Sequence, residues 1–404
     1  MPFLVLIFIA LIVYGSLFPF SDWTEPSAAL FSFLGSWPPV LEKADLIQNV
    51  LAYAPLGLFM VSWLINSMRF WPALVFATLT GATLSFAMES IQQFIPSRTA
   101  STSDLAMNLL GTLAGGMAAA FLTQKTFSGT KLIALRNRWL RTGALPNIGL
   151  ISLALWALSQ TSPLVPTFDI AQLRHGLSLL FHSLQTPKNL IFPQALTYAF
   201  YITALGLLTL TIGRNSKTIF APFLLFIACI LVLKVLVAGR QLSLEALMGA
   251  VLAVFLLLPF RRLEKRSVVS VIGIVLISAG FTLSELSAVP ELTTYAFNWI
   301  PFGGQMDSLN GLQNILDIFW PFFVLAYFAR YMTLAYHRAE VAVFGGITIL
   351  AWLFGLEWFQ QNLPGRYGDI TQVLLGISGW IIPWFPGSTD YASQDPAPLR
   401  YKVR

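Results

Sequence analysis

Glu89, Gln92, Gln93, Arg98, Asp104 and Asn108 fall within twenty residues of one another, between two long apolar runs. The spacing predicts a helix ending at Ile95, because Pro96 cannot supply the next backbone donor. At 1.5 Å per residue, Glu89 then lies about 9 Å inside that helix end, where an ionisable group is costly and a functional candidate by default. Gln92 and Gln93 follow one turn on, close to the same face. Asp104 and Asn108 are i, i+4 on the first turns of the next helix, and Asp45 and Asn49 repeat that pattern at an earlier helix start. These groups converge at one depth, with Arg98 above them, as an outward-facing polar pocket. Guanidinium pairs in a bidentate manner with phosphate or carboxylate, so Arg98 is expected to clamp an anion, with Glu89 pairing it when the site is empty. The alternative is a structural Glu89–Arg98 ion pair that closes the bundle, with Asp104 serving only as a helix N-terminal acid.

The elements that must carry these residues are membrane helices. Of the 404 residues, 56% are hydrophobic and 10% charged, against about 25% charged in soluble proteins. The chain reads as an all-α, polytopic membrane protein. At roughly 20 apolar residues per crossing, twelve spans are expected, near 2–20, 44–66, 72–96, 104–123, 144–161, 189–212, 219–238, 243–260, 267–285, 311–333, 341–361 and 369–386. Arg and Lys cluster in alternate loops (Arg136, Arg138 and Arg141; Arg214 and Lys217; Arg261, Arg262, Lys265 and Arg266). The positive-inside rule therefore puts both termini in the cytoplasm and Arg98, Arg240 and Arg366 outside. The first segment lacks a basic n-region and a small-residue cleavage site, and reads as a retained span.

The polar stretch returns. Glu89, Gln92, Gln93, Pro96 and Arg98 align without a gap on Glu357, Gln360, Gln361, Pro364 and Arg366. With a three-residue deletion, Asp104 and Gly111 align on Asp369 and Gly376, and Gln48-Asn49 align on Gln313-Asn314. The middle third is a worn copy that keeps Arg240 and Gly249 but has Leu231 for the glutamate and Lys234 for the first glutamine. Three parallel four-helix repeats are expected: 1–123, a degenerate 144–260, and 261–386. A basic connector at 124–143 would lie on the inner leaflet, and 387–404 would form a disordered cytoplasmic tail. The outer loops 21–43 and 162–188 each hold an apolar stretch suited to a re-entrant or interfacial helix.

Other chemistries find no support. HExxH, GxSxG and a Gly-rich phosphate loop are absent from the sequence. His175 and His182 lack a third metal ligand and read as interfacial, so neither a metal nor a cofactor is expected. Cys229 reads as a small core residue, too far from Arg240 for thiol chemistry. Gly111, Gly115 and Gly116 fit helix packing.

The chain resembles the VanZ family in Phe18, Pro19, Asp45, Asn49, Pro55, Gly57, Glu89, Gln93, Arg98, Asp104, Asn108 and Gly111. Asn314, Pro321, Glu357, Gln361, Arg366, Asp369 and Gly376 repeat the pattern in reduced form, with Val373 in place of Asn108. The resemblance implies a bacterial plasma-membrane protein of a family whose founding member is associated with teicoplanin resistance. The function expected is a binding or accessory factor. Its ligand would be an amphiphilic cell-envelope molecule, a lipid-linked glycan or phosphate, and no nucleic acid is expected as a partner. A proton-coupled transporter or flippase is the runner-up, and an intramembrane enzyme using Glu89 or Asp104 comes third.

Overall fold

In the computed structural model the described residues are 2–18, 20, 23–26, 29–35, 43–96, 98–122, 127–162, 170–186, 190–260, 265–287, 296–302, 311–333, 337–363 and 365–385. Pro19, Pro364, the 387–404 tail and the Asp45 side chain lie outside them. Among the described residues the chain forms fourteen α-helices and no β-sheet. Each of the twelve apolar segments coincides with one helix. The other two are α5 (Phe127–Trp139) in the basic connector and α7 (Ile170–Gln185) in the second long loop. Seven helices are long and apolar enough to cross a membrane by length and composition: α2, α3, α8, α9, α11, α12 and α13. The shortfall from twelve has a physical cause. The helices Pro2–Leu17, Leu244–Phe260 and Ile370–Ile381 are short, Thr102–Ala119 spends its residues on a polar first turn and on Gly111, Gly115 and Gly116, and Ala144–Thr161 carries Pro146 and Asn147 at one end and Ser159, Gln160 and Thr161 at the other.

The chain divides into two compact units, Met1–Arg136 and Asn137–Arg404. The first contains α1 (Pro2–Leu17), α2 (Lys43–Leu64), α3 (Phe70–Gln92) and α4 (Thr102–Ala119). Its core is Val5, Ile12, Leu56, Met60, Val61, Leu74, Ala77 and Met88. Helices α2 and α4 meet backbone to backbone. A Cβ on Gly57 would stand 1.9 Å from the Thr112 carbonyl oxygen, and one on Gly115 would stand 1.8 Å from that of Ala54. Small residues at such crossings supply the close packing that replaces a hydrophobic driving force between helices in lipid. The outer face of α3 is apolar, with Trp71, Val75, Phe76 and Leu79 exposed. The hydroxyls of Thr80, Thr83 and Ser90 on that helix bond back to the carbonyls of Phe76, Leu79 and Phe86. That removes their donors from an apolar surrounding.

The second unit holds α6 (Ala144–Thr161), α7, α8 (Phe192–Ile212), α9 (Ser216–Leu236), α10 (Leu244–Phe260), α11 (Arg266–Leu286), α12 (Gly311–Thr333), α13 (Arg338–Gln360) and α14 (Ile370–Ile381). Helix α8 packs on α10 and α11, while α12 packs on α6, α11 and α14. The apolar stretches of α8 and α12, from Ile202 to Leu208 and from Trp320 to Ala329, fill the core. Helix α7 docks through Gly176, whose carbonyl accepts the Leu242 N–H, and through Gln172, which donates to the Val237 carbonyl. His175 and His182 stay exposed on it. Cys229, expected in the core, lies on the exposed side of α9.

Candidate functional site

In the first unit, Ser101 caps α4 by accepting the Ser103 N–H on its side chain (3.1 Å). Glu89, in the last turn of α3, takes the Ser101 N–H on Oε2 (2.8 Å), so the carboxylate ties one helix to the start of the next. Asn49 on α2 donates to Asp104 Oδ1 (2.8 Å), and Asn108 donates to Ser85 Oγ (2.9 Å). Glu89 and Asn108 are both 4% exposed. Asn108 Oδ1 and the Tyr53 hydroxyl are buried with no hydrogen-bond partner. Tyr53 and Ser85 were missed in the sequence, although each lies four residues along its helix from a named group, Asn49 or Glu89.

Arg98 does not pair with Glu89. It lies beyond Pro96, in the turn, and reaches α1: Nε and Nη2 donate to the Phe18 carbonyl (3.2 Å each) and Nη2 to that of Gly15 (3.3 Å). Gln92 donates to the Ser16 carbonyl (2.8 Å). The arginine thus satisfies the orphan carbonyls of a helix C-terminus and places its charge at the favourable end of the dipole. Gln93 turns away from the cluster, accepting the Phe31 N–H and donating to Ser90 O.

The same arrangement recurs in the second unit. Arg366 donates from Nε to Ser287 O (3.1 Å) and from Nη2 to Ser284 O (2.9 Å), carbonyls again three residues apart. Its Nη1 also pairs with Glu285 Oε2 (3.2 Å), so the expected partner Glu357 is replaced by an acid on α11. Gln360 donates to Glu285 Oε2 (2.7 Å). Glu357 accepts the Asp369 N–H (2.9 Å), while its Oε1 is buried with no hydrogen-bond partner. Asp369 caps α14 through Thr371 N (2.8 Å). It stands twelve residues after the glutamate, as Ser101 does. Asp369 therefore occupies the place of Ser101, and the three-residue deletion aligned two aspartates that do different jobs. Asn314 is exposed, and Gln361 bonds only locally, to Trp358 O.

Arg240 makes the third such contact, to Ser159 O (2.8 Å) and Ser162 O. Lys234 Nζ donates to Gln160 Oε1 (2.9 Å). Ser16, Gln160 and Glu285 thus share one register, and each meets the residue six before its arginine. Burial pulls the Arg240 guanidinium below its usual value, opposed by Asp317 and Tyr198.

Beside the first cluster, an apolar groove of about 510 Å³ runs between α3 and α4, lined by Thr83, Phe86, Leu105, Ala106 and Leu109 and reaching Thr102 at the α4 start. The chemistry on offer is amphiphilic, an apolar trough beside polar groups at a helix N-terminus.

Residues 2–123 match the family model described as VanZ/LLP1. No curated protein and no solved structure matches the chain.

Proposed function

We propose, from the premise that residues 2–123 are a VanZ-like unit, that the chain is a bacterial plasma-membrane protein of three parallel four-helix units. In this reading its outward-facing end binds an amphiphilic envelope ligand, a lipid-linked glycan or phosphate, as an accessory or resistance-type factor. The carrying observation is the groove between α3 and α4. A polyprenyl or acyl chain would lie along Phe86, Leu105 and Leu109, with its headgroup at Thr102 at the start of α4. Asp104, Asn49 and Asn108 would meet the sugar or phosphate hydroxyls. Arg98 and Arg366 hold helix ends and are no longer needed as the clamps. Three repeats are supported by the common register of Arg98, Arg240 and Arg366 on carbonyls three residues apart. The buried, unbonded Glu357 Oε1 favours one second reading, a transporter in which that carboxylate takes up a proton.

Filling the groove tests the binding reading. Ala106→Trp is expected to leave the melting temperature of detergent-purified protein near that of the wild type, but to remove stabilisation by a short-chain polyprenyl phosphate. An unchanged ligand response would refute it. Orientation is tested by cysteine labelling. Thr99→Cys is expected to react with an impermeant maleimide in spheroplasts and Ser128→Cys to be protected; the reverse pattern would invert the topology.

A further inference from the structure

The middle four helices contain a buried polar cluster with the opposite chemistry. Lys234 is 5% exposed and stands where Gln92 and Gln360 stand in the other two arrangements. Its Nζ donates to Gln160 Oε1 and to the Tyr198 hydroxyl, 2.9 Å each. Arg240 closes the outer rim on Ser159 and Ser162 and is itself partly exposed. From α12, Asp317 faces the same place. Gln313 donates to its Oδ2 (3.0 Å), and Arg240 and Lys234 act on its charge. Other nearby carboxylates are turned elsewhere: Glu245 accepts the Ile191 N–H at the start of α8, and Glu285 is held by Arg366 and Gln360.

Two cations therefore share one carboxylate. Donors also exceed acceptors. The Tyr198 oxygen accepts from Lys234, which leaves its proton to give, and the Ser162 hydroxyl is buried with no hydrogen-bond partner. A buried charge without a counter-charge is expensive, in membranes above all. We infer that Lys234, Arg240, Tyr198 and Ser162 form a second site, for a phosphate oxyanion entering past Arg240, with Asp317 supplying the remaining negative charge. A lipid headgroup and free phosphate present the same chemistry.

Two substitutions remove the excess charge without removing the fold. Lys234→Gln installs the residue found at 92 and 360, and Leu231→Glu installs the carboxylate found at 89 and 357. The measurement is thermal shift in an Ala106→Trp background, so that the α3–α4 groove does not contribute. The probes are dioctanoyl phosphatidic acid, inorganic phosphate, and dioctanoylglycerol as the uncharged control. At about a hundredfold excess over Kd, a phosphate probe is expected to raise the melting temperature by roughly 5 °C, and dioctanoylglycerol is not. Both Lys234→Gln and Leu231→Glu should abolish the rise. A response to the lipid alone assigns the headgroup as source, and a response to inorganic phosphate assigns the free ion. Equal shifts in the Lys234→Gln protein, or none with either phosphate, overturn the site and leave the reading of the first unit untouched.

Discussion

The Glu89 end of the first unit and the Lys234 end of the second are built on one scaffold and carry opposite chemistry. In both, an arginine bonds two carbonyls three residues apart at the end of a preceding helix, and a serine caps the helix that follows. Glu89 is held by the Ser101 N–H, and the groups near it are the Asp104 carboxylate, the Asn49 and Asn108 amides and the Ser85 hydroxyl. Around Lys234 they are the Gln160 amide, the Tyr198 phenol, the Arg240 guanidinium and the Asp317 carboxylate. The arginine contact is therefore common framework, and the two ends differ in the groups placed beside it.

That contrast can be broken at several strengths. The largest effect is expected where backbone meets backbone. Gly115→Val should cost about 3 kcal/mol or more, because Ala54 O stands 1.8 Å from the new Cβ. Gly376→Ala meets the movable side chains of Leu353 and Phe322 and should cost about 1–2 kcal/mol. Equal denaturation midpoints would show that the two helix crossings do not differ as described.

Next come the arginines. Arg366→Ala strands Glu285 and should cost about 3–5 kcal/mol, part of it recovered by adding Glu285→Gln. Arg98→Ala loses only carbonyl hydrogen bonds and should cost about 1–3 kcal/mol. Equal melting losses would mean that Glu285 contributes nothing. A smaller effect follows from the aligned asparagines. Asn49→Ala breaks the bond to Asp104 and should cost about 1–2 kcal/mol, whereas exposed Asn314→Ala should stay within about 0.5 kcal/mol. Asp369→Ser is likewise expected to cost below about 1 kcal/mol by the same assay, since a serine caps α4 in the same way.

The helices were legible because long apolar runs broken by Pro, Gly and basic clusters leave few alternatives. The carboxylate and amide positions were legible in part: Asn49 and Asp104 meet, whereas Glu89 bonds the Ser101 N–H and Asn108 bonds Ser85. The partner of Arg98 was not. Face arithmetic holds only within a helix, and Pro96 ends the helix before the arginine, so nothing in the local spacing says that α1 receives it. Asp369 was misaligned because Asp and Ser are equivalent caps but unlike letters. Glu285 and Asp317 were passed over because each is a lone acid, whose meaning depends on an arginine about eighty positions away in the chain, Arg366 for one and Arg240 for the other.

The repeated arginine contact has a consequence for how such a protein can change. Because the guanidinium holds main-chain oxygens, the contact does not depend on which side chains the receiving helix carries. Position 16 is serine, position 160 glutamine and position 285 glutamate, and the main-chain part of the attachment is the same in all three, with Arg366 adding a side-chain bond to Glu285. One socket therefore accepts different inserts. Exchanging the trio Ser16, Glu89 and Gln92 for Gln160, Leu231 and Lys234 amounts to swapping a cartridge: the polar groups beside the arginine change while its hold on the neighbouring helix stays in place.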